Sequence, residues 1–137
     1  MFSGSYIHNV DQKARIAMPS KFREALQNEF MLSKGPDGCL WVLGKEQWQL
    51  LAAKAPKSVV VQRFFLASAV KCSLLEKGRF LIPDVLREHA DIKPGDDVMI
   101  IGLGNRIEIW SRRRWEAVSS QVTSERIRQE LPEFFEF

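Results

Sequence analysis

The sequence predicts a β-rich α+β fold in which two similar halves share one barrel-like core flanked by short helices. Three observations carry that expectation: one segment recurs at a fixed offset, short runs alternate apolar with polar residues, and Gly/Pro turn signals separate the runs.

The recurrence joins residues 13–24, Lys-Ala-Arg-Ile-Ala-Met-Pro-Ser-Lys-Phe-Arg-Glu, to residues 77–88, Lys-Gly-Arg-Phe-Leu-Ile-Pro-Asp-Val-Leu-Arg-Glu. At an offset of 64 they agree at five of twelve positions, where chance gives about one. The apolar positions follow suit: Ile16 with Phe80, Met18 with Ile82, Phe22 with Leu86. Further on the offset becomes 67, matching Leu40 to Ile107, Val42 to Ile109, Lys45 to Arg112 and Trp48 to Trp115. The three extra residues belong in the turn at 91–96, where Pro94-Gly95 marks a loop.

Each half reads in the same order. A strand opens it, at 5–10 and 69–74, with Tyr6, His8 and Val10 alternating onto one face and Val70, Cys72 and Leu74 matching them. A polar loop carrying Lys-x-Arg leads to a short strand, at 16–18 and 80–82. Pro19 and Pro83 then open helices running to about Leu26 and Ala90, since the first turn of a helix does not need their missing N–H. Hairpins follow, at 30–33 with 39–43 and at 98–102 with 106–110, turning at Gly35-Pro36-Asp37-Gly38 and Gly102-Leu103-Gly104-Asn105. A second helix closes each half; in the first, Trp48, Leu51, Ala52 and Ala55 recur at helical spacing. The expected units are a first repeat at 1–55, a linker at 56–68 that leans to helix, a second repeat at 69–120, and a C-terminal helix and tail at 121–137. One unit holds too little core to stand alone, so the two are expected to fuse their sheets.

Of 137 residues, 45% are hydrophobic and 27% charged, a globular composition. No apolar run approaches the ~20 residues that span a bilayer. The opening Met1-Phe2-Ser3-Gly4-Ser5 lacks the basic-then-apolar order of a signal peptide, so a cytoplasmic location is expected. Cys39 and Cys72 stand apart, outside any C-x-x-C pattern, which argues against a disulfide framework or a metal site. Net charge is +3; without the tail at 122–137, which holds four Glu and two Arg, the remaining 18 basic and 13 acidic residues give +5. That excess suits a polyanionic partner. G-x-S-x-G, P-loop and H-E-x-x-H motifs are absent, so neither catalysis, a cofactor nor a small-molecule substrate is expected.

The segment Asp11-Gln12-Lys13-Ala14-Arg15 followed by a strand and Pro19 resembles the D-x-x-x-R motif of the MraZ family, with a second copy at 76–83, Glu-Lys-Gly-Arg-Phe-Leu-Ile-Pro. The opening Met1-Phe2-Ser3-Gly4, the stretch Ile107-Glu108-Ile109-Trp110 and the length resemble that family too. The resemblance covers residues 1–120 and implies SpoVT/AbrB-like halves in a double-split, swapped-hairpin β-barrel. It further implies a transcriptional regulator of the bacterial division and cell-wall gene cluster, a nucleoid-associated ring-shaped homo-oligomer binding short direct repeats in promoter DNA. Two positions depart from the family pattern: Leu75 stands where the second motif has Asp, and Ala14 where the first has Gly. If position 14 needs a positive φ, Ala costs on the order of 1 kcal/mol there.

The expected DNA contacts are Lys13 and Arg15, then Lys77 and Arg79, with Lys21 and Arg23 on the following helix. Arginine's planar fork suits phosphate or a guanine edge, and a loop presents it without disturbing a core. The plainer role for Arg15 is an ion pair with Asp11; five N–H donors allow both. Asp11 repels phosphate, so its expected role is to structure the loop. For Lys21, Arg23 and Arg87 ordinary surface charge is the competing reading. The run Arg112-Arg113-Arg114 calls for an acidic partner, such as Glu of a neighbouring subunit, or for solvent. Four tryptophans, Trp41, Trp48, Trp110 and Trp115, recur with the repeat, which favours packing over base stacking. His8 reads as packed and His89 as ending a helix, and the tail phenylalanines are expected to dock on a barrel. The alternative class is an RNA-binding or purely structural ring, which aromatic loop tips would favour.

Overall fold

The computed structural model describes residues 1–135, with backbone only for Phe134 and Phe135; the expected docking of the tail phenylalanines lies outside what is described. Eight strands and six α-helical segments appear in this order: β1 Phe2–Asn9, β2 Arg15–Ala17, α1 Ser20–Leu26, β3 Glu29–Gly35, β4 Cys39–Leu43, α2 Lys45–Lys54, α3 Val59–Val61, β5 Val70–Ser73, β6 Arg79–Leu81, α4 Asp84–Ala90, β7 Asp97–Gly104, β8 Ile107–Ser111, α5 Arg112–Ser119 and α6 Ser124–Glu130. The fold is α+β and β-rich, as the sequence predicts.

Six antiparallel strands form the main sheet in the order β1-β7-β8-β4-β3-β5. The opening strand β1 pairs with the late hairpin strand β7, and β5 pairs with the early strand β3. Each hairpin therefore takes its outer neighbour from the other half of the chain. The remaining strands, β2 and β6, form a separate two-stranded ribbon. It lies beside β1 through β2 and beside β5 through β6, bridging the two ends of the sheet. Ladder bonds run along the sheet and within the ribbon, and packing joins the two.

Alternation explains why the ribbon stays in place. Ile16 and Phe80 face each other at its centre, 0% and 1% exposed, and point into a core with Met18, Ile82, Phe22, Leu86, Leu32, Leu40, Ile100 and Ile109. Phe30 meets the Phe80 ring edge-on at 5.0 Å, and Phe22 receives Phe2 and Tyr6 the same way at 5.4 Å. Gln27 and Asp91, 64 residues apart, close α1 and α4 in the left-handed conformation.

Several strand boundaries differ from expectation. β1 starts at Phe2 because Gly102 lets it approach: a Cβ there would lie 2.5 Å from the Ser3 nitrogen. The same pairing carries β7 on to Gly104, so that Asn105 and Arg106 alone make the turn into β8. α2 buries none of its residues; only Ala55, just after it, is sealed. The linker is helical but irregular, passing from α3 into a wider π-type turn at Gln62–Leu66. No helix among the described residues is long and apolar enough to cross a membrane.

Candidate nucleic-acid interface

The ribbon brings together the two copies of the Lys-x-Arg loop. Its register sets Arg15 opposite Leu81, Ile16 opposite Phe80 and Ala17 opposite Arg79. Bonds from Ile82 N–H to the Ala14 carbonyl and from Met18 N–H to the Gly78 carbonyl, each 2.9 Å, extend it by a pair at either end. A local two-fold thus passes between Ile16 and Phe80. With those two inside, Arg15, Ala17, Arg79 and Leu81 share the outer face. Arg15 and Arg79 are diagonal neighbours, a relation that puts Cα atoms about 7–8 Å apart. Lys13 and Lys77 are exposed, one at each end of the ribbon.

Asp11 joins the two arginines. Its Oδ1 accepts the backbone N–H of Lys13 at 2.9 Å and of Arg15 at 3.0 Å. Its Oδ2 accepts Arg15 Nε at 3.2 Å and lies 3.6 Å from Arg79 Nη1. All three side chains are about one-third exposed, at 30%, 28% and 34%. The Arg15 N–H bond, more than any other contact, holds the Asp11 carboxyl below the usual carboxylate range; the Lys13 N–H and the Arg15 guanidinium add to it, against a smaller effect of burial. Arg79 Nε is buried without a hydrogen-bond partner.

The two loops share one backbone pattern. Asp11 N–H bonds the Arg15 carbonyl at 2.9 Å and Leu75 N–H bonds the Arg79 carbonyl at 2.8 Å; Ala14 and Gly78 bond back to Asp11 and Leu75, each at 3.0 Å. They differ in conformation. The first turns left-handed only at Ala14, φ 62°, while the second does so at Lys77, φ 61°, and Gly78, φ 68°. The Asp11 bond to the Lys13 N–H fixes the first loop; Leu75 cannot make one, and the second takes the other turn. Ala14 therefore sits where a positive φ is required.

Arg23 and Lys21 have local partners. Arg23 Nε donates to the Met18 carbonyl at 2.7 Å and Arg87 Nε to the Ile82 carbonyl at 3.0 Å, so each pins its helix to the end of the ribbon. Arg23 also packs over Gly78, where a Cβ would lie 2.2 Å from its Nε. Lys21 Nζ reaches Ser3 at 3.3 Å, six residues back along β1 from Asn9 and so roughly 20 Å from the loop end of that strand.

Each arginine of the run at 112–114 has a partner within the chain. Arg112 pairs with Asp97 at 3.3 Å and Glu116 at 3.2 Å, Arg113 with Asp91, and Arg114 with the carbonyls of Gly38 and His89 at 3.0 and 2.9 Å. Their carboxylates come from the α4–β7 turn and from α5 itself, and Arg112 and Arg113 stay 50% and 77% exposed. His8 Nδ1 donates to the Ala17 carbonyl at 2.5 Å, tying β1 to the ribbon, and His89 Nε2 bonds the Gly35 carbonyl at 2.9 Å. Three of the four tryptophans pack against other rings: Trp110 meets Trp115 at 6.0 Å and Trp41 meets Phe65 at 4.9 Å, while Trp48 lies half-buried on α2. Burial pushes Cys39 up to about 12 and Cys72 to about 11, so neither thiol ionises near neutrality. Among the described residues no group of three or more His, Cys, Asp or Glu stands together as a metal site.

Sequence reasoning missed two features. Contact between Asp11 and Arg79 depends on ribbon pairing across 64 residues, and no local motif encodes it. The turn holding the three extra residues buttresses the first loop: Gly95 N–H bonds the Val10 carbonyl at 2.7 Å, and Val10 N–H bonds the Asp96 carbonyl at 2.9 Å. The offset change from 64 to 67 was the available signal.

Fold and site together define a class: a small β-rich α+β chain whose outer ribbon carries paired arginines from two corresponding loops. A family model described as "MraZ protein, putative antitoxin-like" matches residues 1–62 and 65–135. The chain is 43% identical over 140 residues to a protein named transcriptional regulator MraZ from Thermoanaerobacter sp. (strain X514), covering 96% of each. It is 41% identical over 143 residues to the protein of that name from Heliobacterium modesticaldum, covering 98% of this chain and 99% of the relative. The chain belongs to the MraZ family. A solution structure of PHS018 from Pyrococcus horikoshii aligns with 82% of the chain, and 98% of its own, at 17% identity and a TM-score of 0.37.

Proposed function

We propose that this chain is a non-enzymatic transcriptional regulator that binds promoter DNA through the β2–β6 ribbon. The observation that carries the reading is the convergence of Arg15 and Arg79 on the ribbon's outer face, with exposed Lys13 and Lys77 at its ends. A two-stranded ribbon fits the major groove of B-DNA, where arginine forks read guanine and flanking lysines hold phosphate. The names of the relatives, transcriptional regulator MraZ, agree with this reading. The body charge of +5 outside the tail favours the same kind of partner.

In this reading Lys21 and the Nη groups of Arg23 touch phosphates beside the groove, Arg23 keeping its Nε on Met18. Units at 1–55 and 69–120 act as paired SpoVT/AbrB-like repeats joined by the 56–68 linker, and the protein works in the cytoplasm at the nucleoid. One ribbon offers few contacts; a ring-shaped homo-oligomer facing direct repeats in the division and cell-wall gene promoters gains affinity through effective concentration.

Selection of bound duplexes from random DNA, followed by a salt titration of the selected duplex, tests the proposal. The expected result is an enriched, spaced sequence and a log–log salt slope of about −0.9 per phosphate engaged. No enrichment with a flat salt response, or a preference for single-stranded RNA, overturns it.

A further inference from the structure

The Asp11 carboxylate serves both loops, and Arg79 has no other acidic partner among the described residues. The position related to Asp11 by the local two-fold is Leu75, 58% exposed and unable to pair. With Arg79 Nε buried and unbonded, the orientation of the outer guanidinium nitrogens depends on the one carboxylate 3.6 Å away. We propose that Asp11 is a specificity-determining positioning residue that locks Arg15 of one loop and Arg79 of the other into a single, one-directional two-arginine reader. This rests on the duplex-DNA reading above.

The electrostatics explain why a repulsive group belongs at such a surface. Two unpaired guanidinium groups at diagonal-neighbour distance bind any phosphate backbone and swing independently. One shared carboxylate removes one unit of charge, which lowers sequence-independent affinity, and fixes both forks before binding, which lowers the ordering cost of a correct contact. Both effects raise discrimination. The Asp11–Leu75 difference also breaks the local two-fold, so the ribbon presents its arginines with a polarity that a symmetric pair lacks.

Two variants of opposite charge test this, each measured against the duplex selected by the wild type and against a shuffled duplex over a range of salt. Asp11→Asn keeps the acceptor for the two backbone N–H groups and removes the charge. It is expected to bind the shuffled duplex more tightly, with a salt slope steeper by about 0.9, and to lose about tenfold in the selected-to-shuffled ratio. Leu75→Asp gives Arg79 a carboxylate of its own at an exposed position; it is expected to bind both duplexes more weakly, with a shallower slope, and to lose selectivity as well. A purely structural role for Asp11 instead weakens both duplexes alike in Asp11→Asn and leaves Leu75→Asp selective. That result overturns the proposal, as does an unchanged ratio in both variants with native circular dichroism. If the wild type itself selects no duplex, the DNA reading fails and this inference falls with it.

Discussion

Residues 11–15 and 75–79 trace the same hydrogen-bonded turn, yet they hold it by different means. In the first loop Asp11 accepts two backbone N–H groups, and the turn at 93–97 props the chain from behind. In the second, Leu75 offers the backbone no carboxylate, and a single bond from Leu74 N–H to the Asn28 carbonyl, 2.9 Å, stands behind it; Lys77 and Gly78 supply the left-handed corner and Arg23 packs over it. The first loop trades backbone ease for side-chain bonds, placing Ala14 at φ 62°, while the second keeps glycine where the first does not. A duplicated motif can thus preserve a geometry while its support moves from side chain to backbone, leaving one half to provide the charge that both use.

Deleting the core half of the ribbon breaks the comparison hardest. Phe80→Ala empties a fully buried site contacted by Phe30 and should cost about 3–5 kcal/mol, with Ile16→Ala at about 2–5 kcal/mol, both read by denaturant unfolding. Equal, small losses would mean that the ribbon is not keyed into the core. Next come the left-handed corners. Gly78→Ala should destabilise by about 1–2 kcal/mol, combining the φ cost with displacement of Arg23 from Met18. Ala14→Gly should stabilise by roughly 0.5 kcal/mol, strain relief being partly offset by a freer unfolded chain. Thermal melts of the two variants sharpen the comparison: opposite signs are expected where both corners favour glycine, and destabilisation by both would show that the first corner does not.

The smallest effect is on acid stability. Asp11's pKa is depressed in the folded state, so its contribution is present above the usual Asp range and fades as pH falls through the depressed folded value. Melting temperature against pH should therefore fall less steeply in Asp11→Asn than in the wild type on the acid limb, and the curves should run parallel near neutrality.

Much of this was legible in the sequence because the relevant signals are local or repeated. Alternation at Ile16, Met18, Phe80 and Ile82 separates core from surface, and the recurrence at offset 64 relates the two loops. The departures at Leu75 and Ala14 are visible in the sequence, and Ala14 does take a positive φ of 62°. What stayed hidden depends on distant strands meeting. β1 starts early because of Gly102, Arg112 to Arg114 find carboxylates and carbonyls across the hairpins, and Arg79 borrows Asp11. None of these has a signature within a window of ten residues.

The claim that the ribbon reads DNA is tested most directly by the affinity of Arg15→Ala for the selected duplex, set beside its melting temperature. The account predicts at least a tenfold loss of affinity, since a bidentate arginine contact is worth about 1–3 kcal/mol and recurs in every engaged subunit, with a melting temperature close to wild type. Undiminished affinity from a folded Arg15→Ala protein would contradict it.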